Sequence, residues 1–223
     1  MHIEAGIEKL HHESYQAIKL IERLLRINNI NRVLRIAYDF ECNDGGYYYP
    51  LMKTDTIFVN PDNCYNIREY KEDDDRPENM FYPGYCCDNT IFGTILHEFA
   101  HFLCFQVYKN IIDEYKKEFP KKRLFLSAYS NTDVDEEIAN LILLYISNPY
   151  LLKLVSDKHY KFLKRFFISP LATSAPTCFN IYQKFPIHIK GELKSKWGII
   201  YNHSTKKFES VEVMSSMKER TGS

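Results

Sequence analysis

The chain has 223 residues, enough for one sizeable core with room for a small appendage. Its 29 Lys and Arg balance 29 Asp and Glu, so net charge supplies no footprint for nucleic acid or an anionic membrane surface. Apolar content is 45%, which excludes a wholly disordered chain, and no run approaches the ~18–20 apolar residues of a membrane span. Met1 to Lys9 carries acidic residues and no apolar stretch, so no secretory signal is expected. Cys42, Cys64, Cys86, Cys87, Cys104 and Cys178 are sparse, show no C-x-x-C spacing, and include a vicinal pair that resists bridging to itself. Reduced thiols in an intracellular, cytoplasmic setting are therefore expected.

In chain order, Ile3 to Ile27 places Ile7, Leu10, Ile18, Ile21, Leu24 and Leu25 at helical spacing, and Asn28, Asn29 and Asn31 punctuate the end. Val33 to Phe40 alternates as a strand does, and Asn43-Asp44-Gly45-Gly46 makes a turn. Thr56 to Val59 is a short strand stopped by Asn60-Pro61. Tyr70 to Pro83 reads as an exposed loop, whose acidic run Glu72 to Asp75 lacks the glycine and spaced ligands of a calcium loop. Asp88 or Asn89 can cap a helix running towards Tyr115, with room for a break, and its apolar middle suits the centre of a domain. Thr132 or Asp133 caps a second helix through Ser147, closed by Asn148-Pro149; Ser156-Asp157 caps a third to Phe167. In the tail, Ile187 to Ile189, Trp197 to Tyr201 and Phe208 to Val213 read as short strands.

His97-Glu98-Phe99-Ala100-His101 has the H-E-x-x-H spacing inside that central helix. Residues four apart on a helix differ by ~40° in angle and ~6 Å in rise, so two imidazoles so placed can converge on one zinc ion. Glu98, one position on, projects beside them and can act as a general base towards water. The alternative, two core histidines and a buried glutamate, needs three costly polar groups to be satisfied by other means. No third histidine follows at the spacing of the extended zinc motifs, so the third ligand should be a carboxylate from another helix. The second helix offers Asp133, Asp135, Glu136 and Glu137; Glu136 shares a face with Asn140, which could bond a ligand histidine, and Glu137 lies ~100° away. The remaining histidines, His2, His11, His12, His188 and His203, show no ligand spacing.

Tyr129-Ser130-Asn131-Thr132-Asp133-Val134-Asp135-Glu136-Glu137-Ile138-Ala139-Asn140 resembles the second zinc motif of the gluzincin metallopeptidases related to the catalytic domain of anthrax lethal factor. There a tyrosine precedes the ligand glutamate by seven residues and an alanine follows it by three. Tyr145 to Leu152 is similar to small gluzincin-type peptidases, and the likeness covers roughly Thr56 to Phe167. Asn140 departs from the family, which often has a carboxylate there. The resemblance implies a helix-rich, zincin-like α+β metallopeptidase domain with a small sheet and a buried zinc-binding helix. His97, His101 and Glu136 are then the ligands of one Zn2+ and Glu98 the base. Tyr129 is the oxyanion donor, with His159 and Tyr160 as competitors for that role. The resemblance also implies that Thr56 to Val59 is an edge strand pairing with a peptide or protein substrate. The expected organisation is a single domain over 1–223, with an N-terminal helix and strand (1–50), a catalytic core (51–168) and a C-terminal extension (169–223). A non-enzymatic or latent zinc-binding domain, acting as an interaction or structural module, is the rival expectation.

Overall fold

The structure is a computed structural model that describes residues 12–51, 55–64, 87–88, 90–120, 126–127, 129–149, 152–153, 156–171, 197–202 and 207–212. The acidic run 72–75, Cys86, Cys178, the strand expected at 187–189 and His2, His11, His188 and His203 lie outside them. In chain order the elements are α1 (His12–Ile27), β1 (Arg35–Tyr38), β2 (Gly46–Tyr48), β3 (Thr56–Val59), α2 (Ile91–Phe102), a π-turn (Leu103–Val107) and α3 (Ile111–Glu118). A 3₁₀ turn (Tyr129–Asn131), α4 (Val134–Ser147), α5 (Asp157–Lys164), β4 (Trp197–Asn202) and β5 (Lys207–Glu212) follow. Helices and a small sheet thus mix in one α+β arrangement. Among the described residues no helix is long and apolar enough to cross a membrane.

The centre is α2, apolar nearly all round, and it packs on α1, α4, β2 and β3. Helix α1 turns Ala17, Ile18, Ile21, Leu24 and Leu25 inward, and full burial of such an aliphatic side chain contributes about 2 kcal/mol. It ends where Asn29 takes φ 53°, a left-handed conformation that asparagine tolerates, with the Ile30 N–H returning to the Leu25 carbonyl. Asn28 then grips the far end of the core. Its amide donates to the Ile168 carbonyl at 2.9 Å and its Oδ1 accepts the Ile168 N–H at 2.7 Å.

The sheet order is β1-β3-β2, with β1 parallel and β2 antiparallel to β3. This overturns the expectation for Thr56 to Val59: β3 is the central strand, buried at Thr56, Ile57 and Val59, and among the described strands β2 is the edge nearest α2. The three residues of β2 follow a glycine turn and were not legible as a strand. Strands β4 and β5 form an antiparallel hairpin pairing Trp197 with Glu212 through Asn202 with Lys207, close to the strands expected in the tail. Among the described cysteines, Cys42 and Cys104 are free thiols.

Candidate metal centre

Helix α2 begins one residue beyond the expected caps. Thr90 Oγ1 accepts the Gly93 N–H, and Asp88 Oδ1 in turn accepts from the Thr90 N–H at 2.9 Å and its hydroxyl at 2.6 Å. Seven residues on, α2 delivers His97, Glu98 and His101, all buried, at 8%, 8% and 9% exposure. Such polar groups inside an apolar helix need partners.

Helix α4 provides one. Asp133 caps it, accepting the Asp135 N–H at 2.9 Å, so Glu136 falls in its first turn and faces α2. Glu136 Oε2 lies 2.9 Å from His97 Nε2 and 3.4 Å from His101 Nε2, and the two Nε2 atoms are 3.2 Å apart. Three potential ligand atoms therefore form a near-equilateral triangle. Bonds of ~2.0–2.1 Å to a tetrahedral zinc would put neighbouring ligand atoms ~3.3 Å apart, so the donor set and its spacing fit such an ion. This is the one such His/Cys/Asp/Glu group found among the described residues.

The electrostatics point the same way. Burial would favour a neutral His101, yet Glu136 and Glu98 raise its affinity for a proton. Burial likewise raises Glu136, but hydrogen bonds from His101 and His97 outweigh it and hold the carboxyl far below the usual carboxylate range. The cluster is therefore built to hold positive charge, which a cation can supply without a proton. Glu98 differs: burial dominates and raises its pKa, only partly offset by the two imidazoles.

Tyr129 reaches the same cleft from the 3₁₀ turn ahead of α4, its ring 5.7 Å from that of His97. Behind it, the Asn140 amide donates to Ser130 Oγ at 2.9 Å. Asn140 thus braces the Tyr129 turn, a correction to its expected bond with a ligand histidine. The alternatives fall elsewhere. Glu137 is fully buried and accepts from the Tyr115 hydroxyl at 2.7 Å. His159 packs on Phe119, Tyr160 packs against Tyr145, and neither lines the cleft.

The cleft holds about 500 Å³ and is lined by His97, Glu98, His101, Tyr129 and Glu136 together with the strand β2. Gly46 lets that strand come close: a Cβ there would lie 2.6 Å from Thr94 Cγ2, 2.8 Å from the Phe58 carbonyl and 3.4 Å from Glu98 Cγ. Sequence reasoning missed this strand, and also Phe105 and Asp44 as lining residues. The glycine pair in the 43–46 turn was the available signal for a close backbone approach. Among the described residues the lining carries the carboxylates of Asp44, Asp88, Glu98, Asp133, Asp135 and Glu136 and no Lys or Arg. A scan of family models, a search of curated proteins and a search of solved structures each returned no match to this chain.

Proposed function

We propose that the protein is a zinc-dependent peptidase of gluzincin type, with a zincin-like catalytic domain. The observation that carries the reading is the meeting of His97, His101 and Glu136 in an open cleft that also receives Glu98 and Tyr129. A purely structural zinc site would need neither of those last two side chains. No described residue of α1 lines the cleft, so that helix does not cover the ligands.

His97, His101 and Glu136 would hold the ion, which when bound supplies Lewis acidity towards a carbonyl oxygen and towards water. An extended peptide would pair with β2, whose strand neighbour among the described residues is β3 alone. As water attacks the scissile carbonyl, the Glu98 carboxylate accepts its proton and later delivers it to the leaving amine nitrogen. The Tyr129 hydroxyl donates to the carbonyl oxygen as negative charge builds there.

The test is metal analysis of purified protein followed by peptide hydrolysis with and without a chelator. One zinc per chain and chelator-sensitive cleavage are expected. A protein that takes up no zinc, or a zinc-loaded Glu98→Gln variant that still cleaves, overturns the reading.

A further inference from the structure

Between Ile138 and Leu144 helix α4 carries one polar side chain, Asn140, and buries it to 2% exposure. An aliphatic residue there would avoid the cost of desolvating an amide, so the amide needs a reason. Its Nδ2 donates to Ser130 Oγ at 2.9 Å, inside the 3₁₀ turn that carries Tyr129. Ser130 is fully buried, and Ser127, also fully buried, ties it from the other side. The Ser127 N–H donates to Ser130 Oγ at 3.3 Å, the Ser130 N–H donates to Ser127 Oγ at 3.4 Å, and the two hydroxyl oxygens lie 3.2 Å apart. The Tyr129 carbonyl accepts from the Thr132 N–H at 3.1 Å and from the Thr132 hydroxyl at 2.7 Å. A three-residue 3₁₀ turn has poor hydrogen-bond geometry of its own, so its aim depends on such outside anchors.

We propose that Asn140 is a positioning residue: acting through Ser130, it sets the Tyr129 phenol beside the ligand cluster. The inference rests on the peptidase reading and on Tyr129 as its oxyanion donor. Asn140 follows Glu136 by four residues, so the two lie ~40° and ~6 Å apart on α4. One helix thus carries both a carboxylate of the ligand cluster and the brace of the donor turn, and a shift of α4 moves the two together. That coupling matters because an oxyanion donor must lie within ~3 Å of the developing charge. A misplacement of about 1 Å costs on the order of 10²-fold in rate. The Tyr129 ring stands 5.7 Å from that of His97, so the turn fixes the phenol relative to the ligands as well as to the cleft.

The experiment compares zinc-loaded wild type with Asn140→Leu, which keeps the volume and drops the donor, and with Ser130→Ala, which removes the acceptor. In each variant kcat for a peptide should fall about tenfold, while KM and zinc per chain stay within about twofold. Ser130→Ala, the smaller change, serves should the leucine variant fail to fold. In a Tyr129→Phe background Asn140→Leu should cost almost nothing further, because the hydroxyl that it positions is already gone. A readout without turnover comes from NMR of metal-free protein carrying isotope-labelled tyrosine, where the Tyr129 signal among 17 is the one lost in Tyr129→Phe. That signal should move or broaden in Asn140→Leu. An unchanged kcat in both variants, an unmoved signal, an equal loss with and without the Tyr129 hydroxyl, or loss of zinc overturns the positioning role and leaves the peptidase reading intact. A zinc-loaded wild type that cuts nothing overturns the peptidase reading, and the donor role falls with it. A Tyr129 signal that still moves then separates that failure from failure of the brace.

Discussion

Two clusters built from histidine, glutamate and tyrosine lie on different faces of α4. On one, His97, His101, Glu136 and Tyr129 face the cleft. On the other, Ser156, His159, Tyr115 and Glu137 form a buried chain. Ser156 Oγ lies 2.7 Å from His159 Nδ1, His159 Nε2 lies 3.1 Å from the Tyr115 hydroxyl, and that hydroxyl donates to Glu137 at 2.7 Å. These groups bond one another in a line inside the protein, and none of them lines the cleft. The cleft cluster instead brings three potential ligand atoms within 3.4 Å of one another beside open space, where one cation could satisfy all three. Chemistry-bearing residue types do not make a site; the direction in which their spare bonding capacity points does.

The sharpest way to exploit this contrast is Glu98→Gln. It should keep the zinc, measured as metal per chain, and lower peptide turnover by about 10²–10⁴-fold. Tyr129→Phe should lower kcat by about 10²–10³-fold with zinc content unchanged, whereas an unaltered rate would remove the oxyanion role. The adjacent pair Glu136 and Glu137 separates the clusters directly. Glu136→Ala should lose the metal, measured as zinc per chain. Glu137→Ala leaves a buried tyrosine hydroxyl without its acceptor, and thermal unfolding should report a loss of about 1–3 kcal/mol.

A smaller and slower effect belongs to the buried chain alone. Burial, and next the charge of Lys158, lowers His159 from 6.5 to about 4, so the folded protein keeps this imidazole neutral. The unfolded chain binds a proton first as pH falls. Stability from this group is thus fully present above pH 6.5 and is lost between 6.5 and about 4, a gap worth on the order of 3 kcal/mol. Urea titrations across that window should show the loss, and His159→Phe should flatten it. The least of the expected effects concerns the carboxylate-rich walls. For a lysine-containing peptide, kcat/KM should fall severalfold as salt rises, while a neutral peptide should respond little.

Much of the cleft was legible because its determinants are local. His97, Glu98 and His101 sit on one helix, and Glu136 follows a cap that sequence marks clearly, since Asp133 begins α4 as expected. Ambiguity between Glu136 and Glu137 remained because adjacent helix residues differ only in facing, which tertiary packing decides. The sheet order was hidden for a related reason: pairing is long-range, and the three residues of β2 carry too little pattern to announce a strand. The π-turn was equally silent, since Phe102 to Phe105 is apolar at nearly every position and gives no change of period. Thr90 displaced Asp88 as the cap because Asp88 is occupied in holding Thr90 itself.

The clasp between Asn28 and Ile168 has a practical corollary. It fastens the leading helix to the stretch that follows α5, and that helix covers apolar flanks of α2 and α4. Trimming the chain to begin at residue 51 would uncover those flanks and release the fastening at once. The shortened polypeptide should therefore self-associate, and the smallest stable unit that contains the cleft should retain the leading helix.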